Sequence, residues 1–150
     1  MCRGTRKGRR GDRSVFQGVR RVSETRFEAG MRTRRSVLGD AHVDRAEARK
    51  TSFDEPFQTL ITESAWGTVW ASDGLTKRER SLITIALLAA LGHDEEVAMH
   101  CRATRNTGAT PEDVREALQH VAIYAGVPAA NRAIKIAKSV FEPEAGKGRE

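Results

Sequence analysis

The stretch TKRERSLITIALLAALG, residues 76–92, carries its own start and stop signals. Thr76 followed three residues later by Glu79 is a capping-box pattern, and Gly92 is a residue that readily ends a helix. Between them, Lys77 to Leu91 is apolar on nearly every side, which predicts a helix covered all round and so the central one of its domain. The greasy run from Leu82 to Leu91, interrupted by Thr84, is about half the length of a bilayer span, so no membrane partner is expected.

Similar signals repeat on both sides of this helix. Upstream, Thr25 with Glu28 forms another capping box, and Phe27, Met31 and Leu38 follow at helical spacing until Gly39. Asp40 is then expected to cap a short helix that runs through Lys50. Pro56 sits in a first turn and opens a stripe of Phe57, Leu60, Ile61, Ala65 and Val69 that ends near Gly74, with Trp66 and Trp70 sharing a face. Downstream, Asp94 begins a helix that runs to Thr107 and Gly108, and Thr110, Pro111 and Asp113 begin another that runs to Gly126. Pro128 opens a last helix, ending near Phe141. No stretch alternates like a strand, so the prediction is an all-α domain over 24–142, a bundle of about six to seven helices with short connections.

A chain of 150 residues fits one such domain. Its net charge of +6 is concentrated at one end: residues 1–23 carry +7 and the other 127 carry −1. The folded part is therefore near neutral, and no nucleic-acid partner is expected for it. The opening segment is rich in Gly and Arg, poor in apolar residues and expected to be disordered; residues 143–150 read as a flexible tail. The segment lacks the apolar run of a secretory signal, although an Arg-rich transit peptide stays open. Two cysteines, Cys2 and Cys101, are too few for a disulfide scaffold or a four-cysteine zinc module, which points to a reducing, cytoplasmic compartment.

Four strings, in this order, resemble the carboxymuconolactone decarboxylase family: GDAHVDRA from Gly39, PFQTLITESAWGTVW from Pro56, GLTKRERSLITIALLAAL from Gly74 and HVAIYAGVPAAN from His120. The resemblance covers about Arg26 to Phe141, and it makes Met31 or a neighbour the natural start, with the basic segment an addition. It implies an alkylhydroperoxidase D-like helical bundle assembled as a homo-oligomer, a trimer or hexamer. It also implies decarboxylation of 4-carboxymuconolactone to 3-oxoadipate enol-lactone without a cofactor, in the protocatechuate branch of the beta-ketoadipate pathway. Relatives that reduce peroxides carry Cys-x-x-Cys-x-x-x-His. Here the histidine position falls on His100, but the cysteine positions fall on His93 and Glu96, so the redox pair is absent.

The implied substrate is a small dicarboxylate lactone whose ring alkene and carbonyl can accept the electron pair left by carbon dioxide. It is its own electron sink, so neither a metal nor an organic cofactor is called for. The protein must supply an anion clamp, a donor to the developing oxyanion and an acid. His100 is the first candidate for proton handling, with Glu96 one turn earlier expected to favour its charged form; a surface histidine paired with a helix glutamate is the plainer reading. A metal site from His93, Glu96 and His100 is a third reading.

Arg80 is the preferred clamp, one turn into the apolar helix, unless it is simply a solvated first-turn charge beside Lys77 and Arg78. Arg102 is an alternative, but it lies roughly 200° around the helix from His100. His42, Trp66, Tyr124 and Asn131 fall inside the family-like strings and are read as substrate-binding groups, although tryptophans at a four-residue interval more often belong to a core or subunit interface than to a site. Cys101 reads as an inert buried thiol. Two other functions stay open on sequence alone: a thiol-dependent peroxide-reducing protein of the same fold, and a binding protein whose basic segment grips nucleic acid or an acidic partner.

Overall fold

Three capping boxes fix three helix starts. Thr25, Thr76 and Thr110 each accept the N–H of the residue three further on through a side-chain oxygen, while the carboxylates of Glu28, Glu79 and Asp113 accept the threonine N–H in return. In the computed structural model, which describes residues 23–142, the helices are α1 (Arg26–Leu38), α2 (Asp40–Arg49), α3 (Glu55–Ile61), α4 (Lys77–Leu91), α5 (Asp94–Thr107), α6 (Pro111–Tyr124) and α7 (Val127–Phe141). No strand occurs among the described residues, so the chain is all-α there. Apart from Ser23, the basic opening segment lies outside the described residues, as does the tail at 143–150.

Four glycines, at 39, 92, 108 and 126, have positive φ, and each stands at a helix boundary where a Cβ would be strained. Asp40, expected to cap α2, is instead its first helical residue, and Gly39 takes the cap position without a side-chain bond.

Helix α3 continues as a π-helical segment, Thr62–Val69, closed by the Trp70 N–H donating to Ala65 O at 2.8 Å. Only part of the expected stripe faces inward, with Ile61 and Ala65 half-buried. Phe57, Leu60 and Val69 point out of the chain, whereas Thr62, Trp66 and Trp70 turn inward. The inward side meets α1 at a very close crossing: a Cβ on Gly30 would lie 2.1 Å from Thr62 O, and one on Gly67 2.3 Å from Arg26 O. Two glycines are therefore what let these helical backbones touch.

The main core lies between α4, α5, α6 and α7, around Ile85, Val97, Cys101, Val114 and Leu118. A smaller one joins Val37 of α1, Trp66, Trp70 and Ala103 of α5. Buried Ser81 Oγ donates to Thr107 Oγ1 at 2.8 Å, Asn106 Nδ2 donates to Val37 O at 2.9 Å, and Arg78 Nε donates to Asp113 Oδ2 at 2.8 Å, tying α4 to α5, α5 to α1 and α4 to α6. Helix α4 is not enclosed on all sides as expected. Ser81, Ile85 and Ala89 face the core, while Ile83, Leu87 and Leu91 are 47%, 58% and 70% exposed along the opposite stripe. The single chain has helices enough to cover only one side of it.

Candidate active site

The junction of the two cores holds His100. It occupies the inward face of α5, one turn before Ala103 and Thr104, and only 6% of it is exposed. Its ring lies nearly parallel to both tryptophans, with centroids 6.5 Å from Trp66 at 18° and 6.0 Å from Trp70 at 14°. The two indoles are themselves 5.3 Å apart. The π-helical segment, fixed against α1 by Gly30 and Gly67, is what presents both indoles to the imidazole.

His100 Nδ1 is buried and has no hydrogen-bond partner. Burial among these rings pushes its ionisation down to about 4, against a smaller upward pull from Glu96 and a further downward push from His42. The carboxylate acts in the expected direction, but Glu96 is exposed and its effect is smaller than that of desolvation. The resting imidazole is therefore neutral near pH 7, contrary to the charged form expected from the Glu96 pairing.

His42, half-buried on α2, is also held below the ordinary histidine range, first by burial and then by the charges of Arg45, Arg34 and Arg102. It lines a cavity of about 400 Å³ between α2 and α5, together with Arg45, Met99, Arg102, Ala103 and Arg105. Three guanidinium groups against Asp40 make this cavity basic. His100 is not in its lining, although its neighbours Met99 and Ala103 are, so Arg102 and His100 face different ways, as the helical geometry requires. A second cavity of about 310 Å³, between α6 and α7, is lined by apolar residues such as Val114, Leu118, Ile134 and Phe141 and contains no histidine.

Arg80 is half-buried, and its Nη2 donates to the Ser72 carbonyl at 2.8 Å, two residues from Trp70; its Nε has no partner. The free N–H groups invoked for an anion at the start of α4 are partly taken by the Thr76–Glu79 box. Tyr124 is 85% exposed and stacks on His120, with centroids 6.1 Å apart. Asn131 is exposed in the second turn of α7, where the neighbouring Arg132 pairs with Asp94 at the start of α5, roughly 9 Å along that helix from His100. The structure thus gathers Trp66, Trp70 and His100, with His42 in electrostatic reach, and leaves Tyr124 and Asn131 on the surface of the chain.

Among the described residues no group of three His, Cys, Asp or Glu side chains could hold a metal ion; His93 and Glu96 are exposed while His100 is buried. Cys101 is buried, and desolvation pushes its thiol up to about 11, which leaves little thiolate for peroxide chemistry. None of the described helices is long and apolar enough to cross a membrane.

One buried cation escaped the sequence reading. Arg34 lies on the inward face of α1 with Gly30, Thr33 and Val37. The signal was present, since an arginine stood in the register of a buried helical face, between residues three and four positions away on either side.

The model of the carboxymuconolactone decarboxylase family matches residues 55–139. The chain is 43% identical over 119 residues to the 4-carboxymuconolactone decarboxylase of Acinetobacter baylyi, covering 79% of this chain and 89% of that protein. It is 38% identical over 122 residues to the nitrosuccinic acid decarboxylase of Metarhizium robertsii, covering 81% and 85%. A 4-carboxymuconolactone decarboxylase of Pseudomonas putida is 52% identical over 42 residues, covering 28% of this chain and 88% of that sequence.

Proposed function

The chain belongs to the carboxymuconolactone decarboxylase family and is a decarboxylase, and from that premise we propose that it converts 4-carboxymuconolactone to 3-oxoadipate enol-lactone. The observation that carries the site assignment is the buried His100 imidazole, stacked beside Trp66 and Trp70 with Nδ1 unpartnered. The two compounds in the relatives' names share a chemistry. Each contains a succinate unit, with an electron-accepting group attached to one of its two central carbons: the alkene-conjugated lactone carbonyl in one, the nitro group in the other.

In the proposed reaction the bond from the ring carbon to its carboxylate breaks and carbon dioxide leaves. The electron pair moves through the ring alkene onto the lactone carbonyl oxygen. A proton then adds to the ring carbon next to that carbonyl, which restores the carbonyl and leaves the enol-lactone. One carbon dioxide is released and one proton consumed. The departing carboxylate loses its charge, so desolvation beside indole rings favours the step.

His100 handles the proton. It is neutral in the empty site, and a bound dianion supplies the opposite charge that raises its proton affinity, with Glu96 contributing in the same direction. His42 and Trp66 line the substrate's place, and Arg80, the clamp expected from sequence, is held on the Ser72 carbonyl and closes the Trp70 edge of the site rather than gripping a carboxylate. Tyr124 and Asn131 reach a substrate only from a neighbouring copy.

That copy is part of the proposal. The open stripe of Ile83, Leu87 and Leu91 on α4, and separately the exposed Phe57 and Leu60 of α3, are large apolar side chains left to water, and a trimer or hexamer would cover them. We place the enzyme in the cytoplasm, in the protocatechuate branch of the beta-ketoadipate pathway. A peroxide-reducing function is disfavoured by the buried, poorly ionised Cys101.

The direct test is to incubate purified, chelator-dialysed protein with 4-carboxymuconolactone, quantify carbon dioxide and identify the product by NMR. One carbon dioxide per lactone with the enol-lactone as product supports the reading. Release from nitrosuccinate alone would move the substrate and leave the decarboxylase.

A further inference from the structure

Arg34 is 6% exposed, yet it is poorly partnered. Nη2 lies 3.5 Å from Gln58 Oε1, the outer limit of a hydrogen bond, and Nη1 lies 3.5 Å from Glu47 Oε1, an ion-pair distance without hydrogen-bond geometry. Nε has no partner at all. Glu47 is itself drawn to Lys50 Nζ at 2.9 Å, a better contact than the one it makes with Arg34. A guanidinium stays charged at any ordinary pH and offers several donors, so burying one this way lowers stability unless something else supplies acceptors.

A second buried group with an unpartnered nitrogen, His100, lies in the same part of the molecule. Val37, one turn on from Arg34 along the same buried face of α1, packs in one cluster with Trp66 and Trp70, the two rings that flank His100. Arg80, by contrast, already donates to Ser72 O. Such a site is matched by an anion small enough to enter a buried space and able to accept from a guanidinium, which is the chemistry of a carboxylate.

We propose that Arg34 binds the carboxylate that the substrate keeps, holding the –CH2–COO⁻ arm of the succinate unit while the departing carboxylate lies against the tryptophans. The division of labour follows from charge. A guanidinium on the departing carboxylate would stabilise the charge that must vanish and slow the reaction, whereas one on the retained arm binds ground state and transition state alike. Arg34 then sets which acids bind, and its loss acts mainly on KM. This assignment rests on the decarboxylase reading for the substrate, but binding of the anion can be measured without turnover.

Trp66 and Trp70 are the two tryptophans of the chain and both flank His100, so intrinsic fluorescence reports on this site. Titration with succinate, against sodium chloride at matched ionic strength, should give a saturable change in the wild type. Arg34→Met should weaken it roughly 30-fold or more, the effect of removing one partner of a buried charge pair, and Arg34→Lys should retain part of the affinity. Urea unfolding separates this from a structural role. Without ligand, Arg34→Met should unfold at the wild-type midpoint or above it, because it removes an ill-partnered buried cation. With the lactone, Arg34→Lys should raise KM and leave kcat within about threefold.

The inference is overturned by wild-type succinate affinity in either variant, by no saturable wild-type response in the millimolar range, or by an Arg34→Met protein that unfolds earlier or fails to fold. Arg34-dependent succinate binding in a protein that leaves the lactone untouched would sink the substrate assignment and keep the inference. Lactone turnover with succinate binding indifferent to Arg34 would do the reverse.

Discussion

Replacing His100 with Asn should flatten the acid side of the stability profile. In the unfolded chain this imidazole takes up a proton near its ordinary value of 6.5, and in the folded chain only near 4. Between those values the unfolded state binds more protons, so stability is full above about pH 6.5, falls as the pH drops through the window and levels off below about 4. The whole difference corresponds to about 3 kcal/mol, of which roughly 2.5 kcal/mol has gone by pH 4.5. The group is well buried, so solvent screening does not shrink this much.

The assay is urea unfolding of wild type and His100→Asn at pH 7.5 and 4.5, at one fixed protein concentration. Carboxylates held low by their partners, such as Asp113 beside Arg78, titrate in both proteins and cancel in the comparison, as does most of the His42 contribution. Wild type should lose roughly 2 to 3 kcal/mol more than the variant between the two pH values. Equal losses would show that the imidazole is not held neutral by burial.

Gly30→Ala should cost about 3 kcal/mol or more, because its Cβ would meet Thr62 O at 2.1 Å; loss of the near-ultraviolet tryptophan signal and an earlier urea midpoint are the readouts, and an unchanged midpoint contradicts the close crossing. Cys101→Ala should keep lactone turnover within about twofold, since a thiol ionising near 11 is not a nucleophile at neutral pH; abolished turnover in a folded variant would reinstate thiol chemistry. A chain beginning at Glu24, which keeps the Thr25 cap, should assemble and turn over lactone like the full chain, and about a tenfold fall in kcat/KM with unchanged assembly would give the basic segment a role. Exhaustive chelation should leave activity intact, and activity restored by one metal alone would refute the substrate's role as electron sink.

What could be read from sequence was what is decided within a few residues. Thr25, Thr76 and Thr110 satisfy helix-end N–H groups with neighbours three positions away, so their helices began where the pattern said. Gly39, Gly92 and Gly108 end helices for equally local reasons. The π-helical segment Thr62–Val69 packs on α1 through Gly30 and Gly67, far apart in the chain, and no local pattern shows such a crossing; nor does an apolar stripe reveal that Phe57, Leu60 and Val69 stay exposed on the single chain. For α4, an all-apolar pattern states that the helix needs cover, not that its own chain supplies it.

The site was legible in part for the same reason. His100 and Trp66 stood out by residue type, and the structure brings them together. The protonation of His100 was misjudged because a glutamate at helical spacing is visible in sequence and the desolvating indoles across the fold are not. Arg34 was not singled out, although its register with Gly30, Thr33 and Val37 marked it as inward-facing.

The central claim is that His100 moves the proton in a cofactor-free decarboxylation, and single-turnover decay of 4-carboxymuconolactone on chelator-treated His100→Ala tests it most directly. The rate of lactone loss should fall by about 10² to 10⁴, the usual effect of removing a positioned acid, with the lactone concentration for half-saturation little changed. A near wild-type single-turnover rate, or a change in half-saturation alone, would contradict the claim and place the proton-moving group elsewhere.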